Sequence, residues 1–186
     1  GMPFSDPVAD GPVIEKANLK ALENGFKLNH LFEASAKIAP HMDTLWMGYF
    51  NPFYHKGIDT FIAEANKAGV NGFIIPDLPL EEARPYKPAI EAAGLNLIDF
   101  IAPTDSKARI EEIVTDAKKF IYLVAYAGIT GSGQSEDLQP IITNIKEFTA
   151  PPVYVGFGVG VTTGNDKDTG SNGVMVGSAF VTVLFY

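Results

Sequence analysis

Apolar side chains along this chain follow two patterns that alternate. In one, they recur at helical spacing, which predicts helices at 11–25, 28–40, 58–69, 79–94, 105–117 and 135–149. In the other, short continuous apolar runs predict strands at 44–50, 72–77, 95–103, 119–128, 152–158 and 173–179, with 180–186 as a possible helix start. Asn51-Pro52, at the end of the first run, is typical of a turn.

The predicted strands are apolar without interruption, as parallel strands buried on both faces are. Repeated strand and helix units of this kind form a parallel sheet, either open or closed into a barrel. Polar or glycine residues follow successive strands, as at the catalytic face of a barrel, and no GxGxxG follows an early strand to mark a dinucleotide site. The predicted fold class is therefore α/β, a TIM (β/α)8 barrel. At 186 residues the chain is shorter than the roughly 250 residues of a whole barrel.

The net charge, the absence of cysteine and the lengths of the apolar runs exclude several classes of function. The net charge of −8 argues against nucleic-acid or anionic-membrane binding, because both need basic patches. The sequence has no cysteine, and therefore neither disulfides nor thiolate chemistry. No apolar run approaches the roughly 20 residues that cross a bilayer, and no signal-peptide pattern begins the chain. We expect a cytoplasmic protein.

Glycine-rich sequences follow the last strands. GFG at 156–158 and GSA at 177–179 place backbone N–H groups at two adjacent strand ends, the usual location of a phosphate site in a barrel. The alternative is that these glycines only permit tight turns. AGITGSG at 127–133 predicts either a lid over the substrate or a solvated loop. Residues 159–172 lack an apolar helical stripe and predict a loop.

Four acidic residues lie in or beside strands and strand ends, where a carboxylate needs a partner or a function: Asp6, Asp10, Asp77 and Asp99. General acid-base chemistry favours two carboxyl groups with different pKa values, and the sequence does not choose the pair. His30, His41 and His55 show no metal-ligand spacing. We expect these histidines at the surface or at helix ends, and we expect no metal site.

Seven motifs, in this order and at this spacing, resemble the alpha chain of tryptophan synthase: PFSDPVADGPVIEKANLKAL, YFNP, GFIIPDLPLEE, IAPT, GITG, VGFG and VGSA. The resemblance runs almost from end to end, and the first motif is close to diagnostic. It implies a barrel lyase that cleaves indole-3-glycerol phosphate to indole and glyceraldehyde 3-phosphate without a cofactor or metal. It also implies a partner, the beta chain, which contains pyridoxal phosphate and receives the indole.

The resemblance assigns roles by position. Asp10 matches the catalytic aspartate that accepts from the indole N–H, and Thr130 matches a lid threonine that helps to organise it. The phosphate positions are Gly131, Gly158, Gly177 and Ser178. Tyr122 matches a substrate-pocket tyrosine, and Met47 and Phe157 would wall the indole pocket. The positions that face the beta chain are Pro3, Asp6, Asn51 and Asp77.

Departures from the family pattern also matter. The acid-base glutamate, the first two strands and most of the last helix of the barrel are missing from residues 1–186. We therefore expect a single partial barrel domain over 1–186 that contains about strands three to eight, with exposed strand edges that favour association. Tyr126 stands where many members have arginine, and the polar stretch 160–172 replaces a helix near the phosphate site.

Three hypotheses follow from these residues. In the first, the chain is part of a true alpha chain and is inactive alone, because positioned acid-base catalysis contributes about 10² to 10⁴ in rate. In the second, it is a non-catalytic module that binds a phosphate ligand and the beta chain. In the third, it is another phosphate-binding barrel lyase or isomerase.

Overall fold

The computed structural model describes residues 1–125, 138–148, 151–156 and 170–185. The chain forms two compact units, Gly1–Leu97 (the first unit) and Ile98–Tyr186 (the second unit). The single domain expected over 1–186 stays a prediction. Within the described ranges, no helix is both long and apolar enough to span a membrane, and the cytoplasmic location stays a prediction.

The first unit alternates helices with the strands of a small parallel sheet. Its strands are β1 (Trp46–Met47), β2 (Gly72–Ile74) and β3 (Asn96–Leu97). Its helices are α1 (Pro12–Glu23), α2 (Leu28–Ile38), α3 (Phe50–Lys56), α4 (Ile58–Ala68), α5 (Leu80–Ala83) and α6 (Lys87–Ala92). The sheet order is β1-β2-β3, and Phe73 of β2 lies opposite both Trp46 and Leu97. Each crossover carries helices, as parallel pairing requires.

The second unit has the same alternation. Its strands are β4 (Asp99–Ile101), β5 (Ile121–Val124), β6 (Val153–Gly156) and β7 (Gly173–Val174), and its helices are α7 (Lys107–Asp116), α8 (Gln139–Lys146) and α9 (Ser178–Phe185). The sheet order is β4-β5-β6-β7, and all three pairs are parallel. The predicted α/β class with parallel sheets is confirmed, whereas the incomplete barrel stays a prediction.

Local sequence explains where several helices begin and end. Pro12 opens α1, a position at which its missing N–H has no helical acceptor to lose. The Ser106 hydroxyl accepts the Arg109 N–H at 3.3 Å and caps α7. Helix α4 ends at Gly69, whose φ of 72° lies in the left-handed region that favours glycine. The helices predicted around these signals are confirmed.

Aromatic rings fill the core of the first unit. Trp46, Phe53, Phe61 and Phe73 are each at most 1% exposed. The ring centroids of Phe53 and Phe61 lie 4.4 Å apart, and Phe32 stacks on Trp46 at 5.1 Å. Such pairs add about 0.5–1.5 kcal/mol each beyond the burial of area. The orientations of the rings therefore help to specify this core.

The indole N–H of Trp46 has a partner inside the same core. Its Nε1 donates to the Ser35 Oγ at 2.7 Å, and the Ser35 hydroxyl donates to the carbonyl oxygen of Leu31 at 2.7 Å. Ser35 is buried. Because a buried donor without an acceptor is costly, this serine removes a penalty and ties α2 to β1.

The second unit has a mainly aliphatic core. Its largest fully buried side chains are Ile101, Ile110, Ile121, Leu123, Ile142 and Ile145. Helix α9 is different, because Phe180, Val183 and Leu184 are 68%, 79% and 81% exposed. The second unit therefore combines a closed core between its sheet and the helices α7 and α8 with an apolar face on α9 that the described residues leave uncovered.

One predicted turn is wrong. Asn51-Pro52 lies inside α3. Proline is tolerated in the first turn of a helix, since its missing N–H has no partner there. The carboxylate of Asp77 also accepts the Phe50 N–H at 2.8 Å and stabilises the start of this helix.

Two predicted elements are each divided. The helix predicted at 79–94 is two helices, α5 and α6, and Pro88 lies at the start of the second. The strand predicted at 95–103 divides around Ile98 into β3 and β4. The division has a clear cause, because β3 pairs with β2 in one sheet and β4 pairs with β5 in the other.

Candidate active site

The opening loop, defined as residues 1–11, is fixed to the strand β1 and the residues that follow it. The backbone N–H of Met2 donates to the Met47 carbonyl at 2.7 Å, and the Met2 side chain is buried over Gly48. A Cβ on Gly48 would lie 2.6 Å from the Met2 Cε, so glycine is required for this packing. The ring of Phe4 lies 5.7 Å from the ring of Tyr49. The loop is thus held by backbone and side-chain contacts.

Asp10 lies at the end of this loop, half-buried, with two polar partners. Its carboxylate is hydrogen-bonded to the side chains of Tyr49 and Asn18. The Tyr49 hydroxyl oxygen also accepts the backbone N–H of Ala9 at 3.0 Å. Tyr49 follows β1, and Asn18 belongs to α1. Two elements of the first unit therefore converge on the predicted catalytic aspartate.

Burial raises the pKa of Asp10 above its ordinary value. The hydrogen bonds from Tyr49 and Asn18 oppose this change, but they are the smaller effects. The pKa of Tyr49 is also raised, chiefly by burial and further by the negative charges of Asp10 and Asp77. Tyr49 therefore stays protonated and remains a hydrogen-bond donor.

The predicted partner-facing residues occupy the same unit. Asp6, Asn51 and Asp77 are exposed, and Pro3 is half-buried. Asp77 and Asn51 lie near each other, because the Asp77 carboxylate accepts the backbone N–H of Phe50, the residue before Asn51. In the opening loop, Val8 is 80% exposed between Asp6 and Asp10. Most of the predicted partner-facing residues are therefore exposed on the first unit.

Tyr122, a predicted substrate-pocket residue, lies in β5 of the second unit. It is buried, and its ring stacks on Phe100 of β4 at 4.8 Å. The pair is in register across the two strands. On the other side, a Cβ on Gly156 of β6 would lie 2.2 Å from the Tyr122 hydroxyl oxygen. Gly156 is therefore explained by packing against Tyr122. Met47, the indole-pocket position of the first unit, is half-buried in β1.

Gly177 and Ser178 stand at the start of α9, and both are exposed. The first helical bond runs from the Val181 N–H to the Gly177 carbonyl at 3.2 Å. Among the described atoms, nothing lies within 4 Å of a Cβ placed on Gly177, and its φ is not positive. Neither packing nor turn geometry requires glycine at this position. The space at Gly177 is compatible with the predicted phosphate site, and Gly11 has similar open space.

The other predicted binding residues lie outside the described residues, namely Thr130, Gly131, Phe157 and Gly158. The same holds for Tyr126 and for 160–169 of the polar stretch. The end of that stretch is described, and its Asn172 side chain accepts the Val153 N–H at 2.9 Å beside β6. The predicted lid and the GFG half of the phosphate site therefore stay predictions.

The sequence pattern did not single out Tyr49 or Asn18. Tyr49 belongs to the motif YFNP, but it was interpreted only as part of an apolar run. A tyrosine in a buried segment generally needs a partner for its hydroxyl, and this rule could have singled it out. Nothing in the sequence pattern marks Asn18 among the polar residues of α1.

Known proteins match this chain along nearly its whole length. A family model described as tryptophan synthase alpha chain matches residues 1–185. The tryptophan synthase alpha chain of Wolinella succinogenes is 52% identical over 185 residues, which are 99% of this chain and 72% of that protein. The tryptophan synthase alpha chain of Acaryochloris marina is 38% identical and is matched over 99% of this chain and 71% of that protein.

Solved structures agree. The tryptophan synthase subunit alpha from Campylobacter jejuni matches with a TM-score of 0.87 at 33% identity, over 99% of this chain and 75% of that chain. A chain from the tryptophan synthase a2b2 complex of Pyrococcus furiosus matches with a TM-score of 0.84 at 32% identity, over 98% and 75%. This chain therefore belongs to the tryptophan synthase alpha chain family, whose members are lyases of tryptophan biosynthesis.

Proposed function

We propose that this chain carries the indole-binding aspartate and the phosphate site of an enzyme whose substrate is indole-3-glycerol phosphate, which the family cleaves to indole and glyceraldehyde 3-phosphate. The observation that carries the proposal is the setting of Asp10. Its carboxylate is half-buried and is held by two side chains from different elements. A carboxylate that is fixed in place and deprived of part of its water is suited to accept a hydrogen bond from a ligand.

In the proposed reaction, Asp10 binds the indole N–H. The acid-base glutamate that the family uses, which is not among residues 1–186, would protonate the ring carbon that carries the glycerol phosphate chain, and the ring nitrogen would become cationic. A carboxylate hydrogen-bonded to this nitrogen stabilises the cation. The carbon–carbon bond then breaks and its electron pair returns to the ring, while the adjacent hydroxyl passes its proton to the ionised glutamate and becomes the aldehyde of glyceraldehyde 3-phosphate. Burial that disfavours a lone carboxylate strengthens its attraction to such a cation.

The phosphate of the substrate binds at Gly177 and Ser178. The open space at Gly177 supports this assignment, since a ligand can approach the backbone there. The N–H groups in the first turn of a helix have no helical acceptors, and the helix dipole favours an anion at that end. Backbone donors of this kind make an anionic ligand compatible with a chain whose net charge is −8.

We further propose that residues 1–186 release no indole on their own. The acid-base glutamate of the family is not among these residues, and its loss removes about 10² to 10⁴ in rate. The measurement is indole release from indole-3-glycerol phosphate by the purified polypeptide. Robust turnover would show that the glutamate is not essential.

The second candidate is a non-catalytic binding module, which the open approach to Gly177 at the start of α9 favours. Calorimetric titration with glyceraldehyde 3-phosphate separates it from an inert polypeptide, since saturable binding without turnover supports the module. In this titration Gly177→Ala should weaken binding, because the added methyl group occupies space that the phosphate needs. Gly11→Ala is the control and should leave the affinity unchanged. Equal affinities in both variants would remove the phosphate assignment.

The proposed partner is a tryptophan synthase beta chain. The exposure of Asp6, Asn51 and Asp77 on one unit supports this, and so does the relative from Pyrococcus furiosus that was solved in an a2b2 complex. Size-exclusion chromatography with a beta chain should show a complex that Asn51→Ala weakens. Asn66→Ala, an exposed change on α4, is the matched control. The same loss in both variants would remove Asn51 from the interface.

A further inference from the structure

The Tyr49 hydroxyl has an unusually well-defined hydrogen-bond arrangement. The side chain is 3% exposed, and its oxygen accepts the Ala9 N–H at 3.0 Å. A phenol has one proton to donate, and the carboxylate of Asp10 is its hydrogen-bonded acceptor. Ala9 and Asp10 are consecutive residues of the opening loop. One hydroxyl group therefore holds both the backbone of the loop and its carboxylate.

The backbone on either side of Tyr49 is also fixed. Gly48 donates its N–H to the Ile74 carbonyl of β2 at 3.1 Å, and Phe50 donates its N–H to the Asp77 carboxylate at 2.8 Å. The Phe4 ring packs on the Tyr49 ring. Tyr49 is therefore a rigid point of the first unit, which is what a residue needs if it is to orient another side chain.

We propose that Tyr49 is a positioning residue for Asp10: its hydroxyl, anchored by the Ala9 N–H, donates to the Asp10 carboxylate and sets the orientation in which that carboxylate meets an indole N–H. The proposal deepens the function proposed above and rests on it. The second donor, Asn18, completes the arrangement from α1. A carboxylate has about four lone-pair sites, so two donors leave acceptor capacity for a ligand.

The charges around Asp10 support the direction of this bond. Burial and the carboxylates of Asp10 and Asp77 raise the pKa of Tyr49, so the phenol keeps its proton. The hydrogen bonds from Tyr49 and Asn18 favour the ionised carboxylate of Asp10. Removal of the Tyr49 donor should therefore raise the pKa of Asp10 further.

The first test is the pKa of Asp10, measured by NMR on the chain with labelled aspartate carboxyl carbons. Tyr49→Phe should raise this pKa by about one unit, because a hydrogen bond to a charged group is lost. Tyr54→Phe is the control, since Tyr54 lies in α3 and is 68% exposed. An unchanged pKa in a folded Tyr49→Phe variant would overturn the proposal.

A second variant covers the case in which Tyr49→Phe does not fold. Asn18→Ala removes the other donor and leaves the loop anchor at Ala9 in place. Asn18→Ala should raise the pKa of Asp10, because one donor is lost. If Tyr49 alone sets the orientation, the NMR signal of the Asp10 carboxyl carbon should still shift on addition of ligand as it does in the unmodified chain. Loss of that shift would assign the positioning role to Asn18 instead and would overturn the proposal.

The second test measures how much the indole N–H contributes to the affinity of the ligand. An indole-3-alkyl phosphate and its benzofuran counterpart differ only in the N–H. The unmodified chain should bind the indole compound about tenfold more tightly, and Tyr49→Phe should bring this ratio towards one. If both affinities fall and the ratio stays, Tyr49 has only a structural role and the proposal fails. If the unmodified chain binds neither compound, the proposed function fails, and the Asp10 titration still decides the role of Tyr49.

Discussion

The two units place their candidate functional groups on very different supports. In the first unit, the Asp10 carboxylate is hydrogen-bonded to the side chains of Tyr49 and Asn18. The same unit has a buried aromatic core. In the second, Gly177 and Ser178 offer backbone groups at the start of α9, a helix whose apolar side chains are largely exposed. A side chain that must be oriented needs a rigid surrounding, whereas a site made of backbone N–H groups needs mainly an open approach.

The glycines of the two units show the same contrast. Gly72 in the first unit and Gly156 in the second lie where a Cβ would overlap another atom, at 2.0 Å from the Asn96 carbonyl oxygen and at 2.2 Å from the Tyr122 hydroxyl. Gly177 has open space. Glycines that look alike in sequence therefore divide into those required by packing and those that leave room.

The largest expected effect tests whether the first unit is as rigid as this comparison requires. Gly72→Ala should lower the free energy of unfolding by about 4 kcal/mol or more, because the new methyl group meets backbone atoms of Asn96 that cannot move without the strand β3. Urea unfolding followed by circular dichroism measures it. Gly11→Ser, at the N-cap of α1 where serine is a favoured residue and a Cβ meets nothing within 4 Å, should change stability by less than about 0.5 kcal/mol. Similar values for the two would contradict the close approach of Gly72 to β3.

The second prediction compares a phenylalanine from each unit. Phe61→Ala should cost about 3–5 kcal/mol, because its ring is fully buried among other rings. Phe180→Ala in α9 should change stability by less than about 0.5 kcal/mol, because that ring is 68% exposed. Both are measured by urea unfolding of residues 1–186. A large effect at Phe180 would contradict the exposure of this ring.

The third prediction concerns the contact between β5 and β6. Gly156→Ala should cost about 1–3 kcal/mol, because the added methyl group overlaps the Tyr122 ring. Tyr122→Val removes the ring atoms that the new methyl group would overlap. The double variant should therefore lose less free energy of unfolding than the two single variants lose in sum. A double-mutant cycle measures this coupling. Strict additivity would show that the two residues do not meet.

The smallest expected effect is the change in the free energy of unfolding that results from the burial of the Asp10 carboxylate. Its pKa is raised on folding, so the folded state binds the proton more tightly than the unfolded state does. Stability from this group is therefore fully present below the ordinary pKa of 3.8 and is lost as the pH rises through the higher folded value. Asp10→Asn should be more stable than the unmodified chain at pH 7 and should lose this part of the pH dependence. The exposed Asp6→Asn is the control, and an equal response of both variants would show that burial of Asp10 is not the cause.

Much of the fold was predictable because local patterns and packing agree. Helices α1, α2, α4, α7 and α8 fall within predicted segments, and each has an apolar stripe or an end signal in its own sequence. Helix α3 was missed because its start is stabilised by Asp77, which lies far from it in the sequence. The division at Ile98 was missed because β3 and β4 pair in different sheets, and a single apolar run does not record this.

The candidate site was predictable in part. Asp10, Tyr122, Gly177 and Ser178 were named from the resemblance, and the structure supplies surroundings for each. Tyr49 was missed because its role depends on Ala9 and Asp10, which meet it only after folding. A residue that acts on another residue leaves no motif of its own.

The hydrogen-bonded indole of Trp46 has a consequence for spectroscopy. It is the only tryptophan of the chain, and it is buried in the first unit. Its fluorescence therefore reports on that unit alone, whereas circular dichroism reports on helices of both. If the fluorescence and the dichroism change at different urea concentrations, the two units unfold separately, and coincident curves would show one cooperative transition.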